Sequence, residues 1–239
     1  MTNHTKTATI ALVAVAAISA SATIAARETT SLSFRQEQVF QDTFKVDLSD
    51  LETTGNNPYF PLEPGLKLEY KGGDTHLVFT VLNETEVIDG VKCRVIEERE
   101  TKSGKLVEIS RNFFVNDKKT NDVYYFGEDV DNYKDGKIVN HDSAWRSGVD
   151  KATFGLFMPG VPKVGQAFYQ EIAPGVALDR INIVSVTEQV DTPAGKFAGC
   201  VKFEETTPLE PTVTDYKRYA SGIGMVQDGG MKLVKKPRK

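Results

Sequence analysis

The chain has 239 residues, of which 40% are hydrophobic and 26% are charged. This composition is typical of a globular protein and excludes collagen-like, disordered and largely membrane-embedded chains. Its 29 lysines and arginines against 33 aspartates and glutamates give a formal net charge of −4, which argues against a nucleic-acid-binding protein.

Residues 1–26 have the pattern of a secretory signal peptide. Lys6 is their only Lys, Arg, Asp or Glu, and residues 7–26 form an uncharged stretch that ends in small residues, as the apolar core and cleavage region of a signal do. An uncleaved N-terminal membrane anchor is the alternative, because about 20 uncharged residues can span a bilayer. We expect an exported bacterial-type protein, periplasmic or secreted, with cleavage between Ala22 and Ala26.

The remaining chain divides into three parts. Residues 27–56 are polar and have the composition of a linker or of a segment docked on the main domain. Residues 57–234 predict a single β domain, because short alternating runs are separated by Gly, Pro, Asn and Asp. Residues 235–239 form a basic tail, which we expect to be a solvated end. The aromatic residues that could anchor the docked segment are Phe34, Phe40 and Phe44.

Hydrophobic residues in the β domain recur with a period of two. Leu66, Leu68 and Tyr70, for example, would share one face of the first strand. The pairs Asp89-Gly90 and Asp135-Gly136 are typical of two-residue hairpin turns. Residues 147–162, rich in Gly and Phe and broken by prolines, predict one short helical turn before a long crossing loop.

This pattern predicts an all-β, mainly antiparallel fold with about eleven strands and little helix. Consecutive hairpins favour an up-and-down meander that curls into a half-barrel or barrel, since closing or covering the sheet removes exposed edges. A two-sheet sandwich is the alternative.

Both cysteines, Cys93 and Cys200, lie in the part that would be exported, where a disulfide can form. Cys93 alternates with Val91 and Val95, which predicts that its side chain points into the core. Cys200 alternates with Lys202 instead, which argues against a shared buried position. A disulfide between Cys93 and Cys200 and two free thiols both stay open.

The densest polar stretch, residues 127–142, is rich in carboxylates, which suit a hard cation such as calcium. Asp131, Asp135 and Asp142 fall at the first, fifth and twelfth positions of a calcium-binding loop, but Tyr133 occupies the third. The flanking sequence also predicts strands where such a loop needs helices. The favoured interpretation is therefore a hairpin that turns at Asp135, with a calcium site as the alternative. No other cofactor is indicated.

Aromatic residues lie beside this acidic stretch, and aromatic faces next to acidic groups bind sugars or cationic ligands. Their commoner role in a β domain is half-buried packing. If the chain has a ligand site, we expect it here, formed by Tyr125, Glu128, Asp129, Tyr133 and Trp145.

The sequence after residue 26 contains no recognisable catalytic signature, and we predict no catalytic residue. His76 and His141 lie in no triad or zinc-ligand context, and no glycine-rich phosphate loop indicates nucleotide binding. Several glutamates would suit paired-acid hydrolysis of carbohydrate, but adjacent residues on a strand point to opposite faces, which favours solvated positions. These residues are Glu97, Glu98, Glu100, Glu204 and Glu205.

Four turn-rich segments resemble a family of exported bacterial β-rich proteins, a domain of unknown function with no established activity. The last segment, Tyr-x-x-Gly-Ile-Gly-x-Val, is also similar to the final hairpin of several envelope domains of unknown function. The resemblance covers residues 57–234, most of the exported part, and brings no catalytic residue with it. The segments are Asn57–Gly65, Tyr125–Asp129, Pro208–Pro211 and Tyr219–Val226.

The sequence therefore favours a non-enzymatic binding protein of the envelope or the exterior. Its curved sheet would hold a small molecule, a lipid or an envelope protein on the concave face. Two alternatives stay open: a carbohydrate-active hydrolase that uses acidic residues between Glu128 and Asp142, and a calcium-stabilised structural module.

Overall fold

The computed structural model describes residues 38–236. The predicted signal peptide, Phe34 and most of the basic tail lie outside the described residues. Residues 38–236 contain no helix with the length and apolar character of a membrane-spanning segment.

Sixteen strands and a single turn of 3₁₀ helix, Leu48–Asp50, make up the regular structure of the described residues. The strands are β1 Leu51–Glu52, β2 Lys67–Gly72, β3 Thr75–Ile88, β4 Val91–Lys102, β5 Lys105–Asp117, β6 Val123–Lys134, β7 Lys137–Asn140, β8 Trp145–Arg146, β9 Thr153–Met158, β10 Ala167–Tyr169, β11 Glu171–Ile172, β12 Arg180–Thr192, β13 Gly195–Thr206, β14 Thr214–Ala220, β15 Gly224–Asp228 and β16 Met231–Lys235.

The strands form one antiparallel sheet that is nearly closed into a barrel. Its order is β10-β12-β13-β14-β15-β16-β2-β3-β4-β5-β6-β9-β11, with β1 paired to β5 and both β7 and β8 paired to β6. The prediction of an all-β antiparallel meander is confirmed. The strand count exceeds the predicted number of about eleven because β1, β8 and β11 are too short to show an alternating pattern.

The two edges of the sheet meet at residues 167–172, which we call the seam. β10 pairs with β12 on one edge, while β11 pairs with β9 on the other. Between them, the Gln170 backbone N–H donates to the Asp179 carbonyl at 2.8 Å. The Gln170 side chain donates to the Phe157 carbonyl at 3.2 Å. A single short stretch of chain therefore joins both edges.

Residues 38–56, part of the predicted polar segment, pack along the barrel. The Gln41 backbone donates to the Ala167 carbonyl and accepts from the Tyr169 N–H, both at 2.9 Å. The Phe40 ring lies 4.6 Å from the Arg180 guanidinium. Since these contacts fall on β10 and β12, the segment covers the sheet edge next to the seam.

The predicted hairpin turns are confirmed at Asp89-Gly90 and Asp135-Gly136. All four residues have positive φ, between 51° and 77°, as a type I′ turn requires at both central positions. Asp and Gly adopt this left-handed conformation at low cost. These local signals therefore fix the register of β3 with β4 and of β6 with β7.

Residues 147–162 contain β9 instead of the predicted helical turn and long loop. β9 pairs with β6 and β11 and thus supplies part of the barrel wall. Gly155 permits a close approach to the seam, because a Cβ there would lie 2.4 Å from the Gln170 carbonyl oxygen. The glycine that suggested a loop from sequence is a packing requirement within a strand.

Candidate functional site

The barrel contains an internal cavity of about 180 Å³. Side chains alternate across each strand, so only one face of β2, β3, β4, β5, β6, β9, β14 and β15 lines it. The rest of the lining comes from the seam, from the segment that follows the seam and from residues 60–66, which precede β2. Strands distant in sequence therefore contribute to one partly open space.

A cluster of aromatic rings forms the apolar part of the lining. Phe114 stacks on Tyr125 with ring centroids 4.6 Å apart, and the Phe157 ring lies 4.8 Å from Phe114. Phe60 contacts this group at 4.6 to 5.9 Å from its neighbours' centroids. The aromatic cluster comprises Phe60, Phe79, Phe114, Tyr125 and Phe157.

Hydrogen bonds of the Asn57 side chain hold the turn that places Phe60 inside the barrel. The Asn57 side-chain oxygen accepts from the backbone N–H groups of Tyr59 and Phe60, both at 2.9 Å. Its amide nitrogen donates to the Asn121 carbonyl at 2.7 Å. Asn57 is 3% exposed, so these bonds form in a water-poor environment and fix the turn firmly. The segment Asn57–Gly65, noted for its resemblance, thus has a structural role at the cavity.

Five acidic residues and one lysine form the charged part of the lining. We call them the interior acidic cluster, together with Glu205, which pairs with the lysine. The Lys217 ammonium lies 2.8 Å from the Glu205 carboxylate. Lys217 also faces Asp228 across the β14–β15 ladder. The acidic residues that line the cavity are Glu98, Glu128, Glu171, Asp179 and Asp228.

Burial raises the pKa of every acidic residue in this lining. It raises the pKa of Glu98 to about 7, an effect that Lys217 opposes and that Asp228 reinforces. Burial and the neighbouring charge of Glu108 raise the pKa of Glu128 to about 8. Both carboxyls therefore change charge close to neutral pH.

Burial and neighbouring charges also shift the pKa values of Glu171 and Lys217. Burial, and then the charge of Asp179, hold the pKa of Glu171 well above its ordinary range, although Glu171 accepts a hydrogen bond from the Asp179 N–H at 2.8 Å. Burial lowers the pKa of Lys217, but the charges of Glu205 and Asp228 outweigh it and hold that pKa well above its usual value. The cavity thus holds one ammonium and several carboxyls that keep their protons to a higher pH than usual.

Two tyrosines in the lining place hydroxyl groups beside the acidic residues. Tyr125 donates to the Asn112 side-chain oxygen at 2.6 Å. Tyr219 is 1% exposed and lines the cavity, where the charges of Lys217, Glu205, Asp228 and Glu98 act on its hydroxyl. Tyr219 thus adds a polar group to the cavity wall next to the carboxyls.

The structure brings two of the five predicted ligand residues to the cavity. Tyr125 and Glu128 line it, and Trp145 packs beside it with its ring 5.2 Å from that of Tyr125. Asp129 lies elsewhere, bonded to Arg146 at 3.0 Å. Tyr133 lies near the tip of the β6–β7 hairpin, opposite Ile138.

The predicted metal ligands do not converge. Asp131 pairs with His141 at 2.9 Å, Asp135 forms the hairpin turn, and Asp142 is exposed. Across the described residues, the structure has no group of three or more His, Cys, Asp or Glu side chains arranged to hold a metal ion. The hairpin interpretation of this stretch is thus confirmed, whereas the calcium site stays a prediction without a ligand cluster.

The two cysteines are free thiols, and both are buried. Burial raises the pKa of the Cys93 thiol to about 12 and also raises that of Cys200. A thiol with a raised pKa is a weak nucleophile. Of the two states left open by the sequence, the structure has the unbridged one, and both side chains serve as core residues.

The paired glutamates point to opposite faces, as their adjacency predicts. Glu98 faces the cavity, while Glu97 lies 3.3 Å from Arg111. Glu205 pairs with Lys217, while Glu204 accepts from the Tyr216 hydroxyl at 3.3 Å. Glu98 and Glu205 thus belong to the interior acidic cluster. The sequence had favoured solvated positions for both members of each pair.

Sequence reasoning missed Glu171, Asp179, Lys217, Tyr219 and Asp228. A polar residue on the apolar face of a strand is the signal that could have found two of them: Lys217 and Tyr219 alternate along β14 on the face that continues to the buried core. Glu171 and Asp179 carry no such signal, because the seam has too few residues to show a period.

Comparison with known proteins gives no relative for this arrangement: no protein-family model, curated protein or solved structure matches the chain. The cavity itself is therefore the feature that bears on function. Its aromatic rings, carboxyls and ammonium group can hold a small molecule that has an apolar body and a polar end.

Proposed function

We propose that the protein binds a small organic molecule inside the barrel. The observation that carries this proposal is the 180 Å³ cavity, whose lining joins an aromatic cluster to a set of ionisable groups. Interiors are otherwise packed to the density of organic crystals. Burial of the polar groups that line this cavity costs free energy. The cavity is therefore the feature that most directly supports ligand binding.

The cavity volume limits the size of the ligand. A cavity of about 150 Å³ holds one benzene ring, so a molecule with one ring and a short polar substituent fits this cavity. A whole lipid does not fit without expansion of the barrel. Of the partners considered from sequence, a small molecule is therefore the one that we propose.

The acidic stretch of residues 127–142 does not by itself supply the carboxyl pair of a glycosidase. Glu128 alone among its carboxylates lines the cavity, while Asp129, Asp135 and Asp142 are exposed. A glycosidase needs two carboxyls across one cleft. The stretch that suggested such an enzyme from sequence offers one.

A substitution that fills the cavity tests the proposal. Leu66 and Leu82 are both half-buried leucines packed on the core, but only Leu66 lines the cavity. We expect native mass spectrometry of the full chain from its own host to detect a bound small molecule in wild type and in Leu82→Trp. We expect Leu66→Trp to lack it. Equal spectra for all three proteins, with no added mass, would contradict ligand binding.

We also propose that this binding takes place outside the cytoplasm. The pattern of residues 1–26 supports export, with periplasmic or secreted protein after cleavage. Intact mass measurement on protein from a cell-envelope or culture fraction tests it. The expected mass corresponds to a chain that begins between residues 23 and 27, and a full-length chain in that fraction would instead support the N-terminal anchor.

A further inference from the structure

The charges in the cavity lining do not balance. Five acidic residues line it, namely Glu98, Glu128, Glu171, Asp179 and Asp228, against Lys217 alone. The ammonium of Lys217 is already 2.8 Å from the carboxylate of Glu205. When the lining carboxyls ionise, the interior therefore carries excess negative charge that no described side chain neutralises. Such buried charge is costly without a counter-ion.

Two polar groups are also open toward this space. Tyr219 is 1% exposed and lines the cavity. Glu98 also lines it, and burial is the main influence on its carboxyl, followed by the charges of Lys217 and Asp228. A hydroxyl oxygen and a carboxylate are both acceptors, so they suit a ligand that brings N–H donors.

The aromatic cluster favours the same kind of ligand. In the group Phe60, Phe114, Tyr125 and Phe157, each ring centroid lies 4.6 to 5.8 Å from those of at least two others. Faces of aromatic rings attract cations, and the attraction is stronger where water is excluded. The rings can therefore contact both the apolar body of a ligand and an attached ammonium group.

We infer that the ligand of the cavity is a small organic cation, an ammonium compound with an aromatic or aliphatic body. This inference rests on the proposed function, because it names the ligand class for the same cavity. The ligand supplies the missing positive charge, Glu98 accepts its N–H groups, and the aromatic cluster holds its body.

Binding of a cation is linked to proton release. Burial raises the pKa of Glu98 and Glu128 to about 7 and about 8, so a cation must displace protons from them at lower pH. Affinity therefore rises as the pH increases from 5 to 8. The charged groups that face these two carboxyls are Glu100, Glu108, Glu171, Asp179, Lys217 and Asp228.

Three ligands of almost equal size test the inference: benzylamine, benzyl alcohol and benzoate. With the full chain, calorimetry at pH 8 is expected to give a dissociation constant about tenfold or more lower for benzylamine than for benzyl alcohol, with benzoate weakest. The benzylamine affinity is expected to fall about tenfold between pH 8 and pH 6, with protons released to the buffer. Benzyl alcohol is expected to show no such pH dependence.

A matched pair of variants assigns the effect to the cavity. Glu98→Gln is expected to weaken benzylamine about tenfold and to leave benzyl alcohol within about twofold. Glu97→Gln, on the adjacent and outward-facing residue, is expected to change neither. Leu66→Trp is expected to abolish binding of both.

The outcomes separate the two proposals. Equal or tighter binding of benzyl alcohol or benzoate, lost in Leu66→Trp, would overturn the cation inference and leave small-molecule binding intact. No binding of any of the three ligands would overturn both. An equal effect of Glu97→Gln and Glu98→Gln on benzylamine would place the cation on the outer surface and overturn the inference.

Discussion

Acidic residues occur in two very different settings in this protein. The β6–β7 hairpin carries Asp131, Asp135 and Asp142 close together in sequence, and they spread over its surface. The interior acidic cluster draws Glu98, Glu171 and its other members from separate parts of the chain. A dense run of carboxylates along a strand or hairpin therefore does not form a binding site by itself, because successive side chains point to opposite faces of the strand. Carboxylates that converge come from different strands.

The two settings also differ in charge compensation. On the hairpin, Asp131 pairs with an exposed histidine, and water screens what remains. In the interior, Lys217 is the only lysine or arginine among the described residues that line the cavity, beside five carboxyls. The difference between strongly and weakly screened charge can be tested by removing charges from each setting.

The largest effect is expected for Lys217→Met. It removes the counter-ion of Glu205 and Asp228 inside the barrel, so we expect a loss of about 3–5 kcal/mol in the free energy of unfolding at pH 8. Lys196→Met is the control, since its partner Asp191 and Lys196 itself are 71% and 87% exposed. Urea unfolding measures both. If the two variants lost equal stability, the interior would be as well screened as the surface.

A smaller effect is expected from pH. The pKa of Glu98 rises from 4.5 to about 7 on folding, so the folded state holds this proton more tightly than the unfolded chain. Stability is therefore complete below pH 4.5 and is lost as the pH rises through 7. We expect Glu98→Gln to be more stable than wild type by about 3 kcal/mol at pH 8 and unchanged at pH 4.5.

Thermal melts from pH 4.5 to 8 measure this dependence. Glu97→Gln provides the comparison, because its side chain pairs with Arg111 outside the cavity. We expect it to retain the wild-type slope. A wild-type melting temperature that rises between pH 5 and 8, with the same slope in Glu98→Gln, would show that the cavity carboxyls are solvated.

The smallest effect is expected on the hairpin. The double variant Asp131→Asn and Asp142→Asn removes two exposed charges, for which we expect a change below about 0.5 kcal/mol. EDTA and excess calcium are each expected to leave the melting temperature unchanged. A calcium-dependent rise in wild type that the double variant lacks would instead support the calcium-stabilised module.

The fold was predictable because its signals are local. Asp89-Gly90 and Asp135-Gly136 determine turns with little influence from the rest of the chain, and Leu66, Leu68 and Tyr70 show the period of a strand without any partner. β9 was missed because Gly155, which looks like a loop residue in sequence, serves the close contact with Gln170.

The site was predictable only in part. Tyr125 and Glu128, which line the cavity, were among the predicted ligand residues because they lie three positions apart in a stretch rich in aromatic and acidic residues. Lys217 and Glu171 were missed because their meeting depends on closure of the barrel, which pairs strands across the whole chain. A single sequence gives the face of each residue within its strand, but it does not give which strands face each other across the interior.

Because the seam, residues 167–172, belongs to both edges of the sheet, its length is constrained twice. One added residue there would shift the pairing of β10 with β12 or of β11 with β9, and a shift of one residue turns side chains to the other face. Glu171 would then leave the cavity. Insertions at the exposed turn of Asp135-Gly136 disturb no such pairing. The protein's evolutionary freedom to change length is therefore greatest at its hairpin tips and least at these six residues.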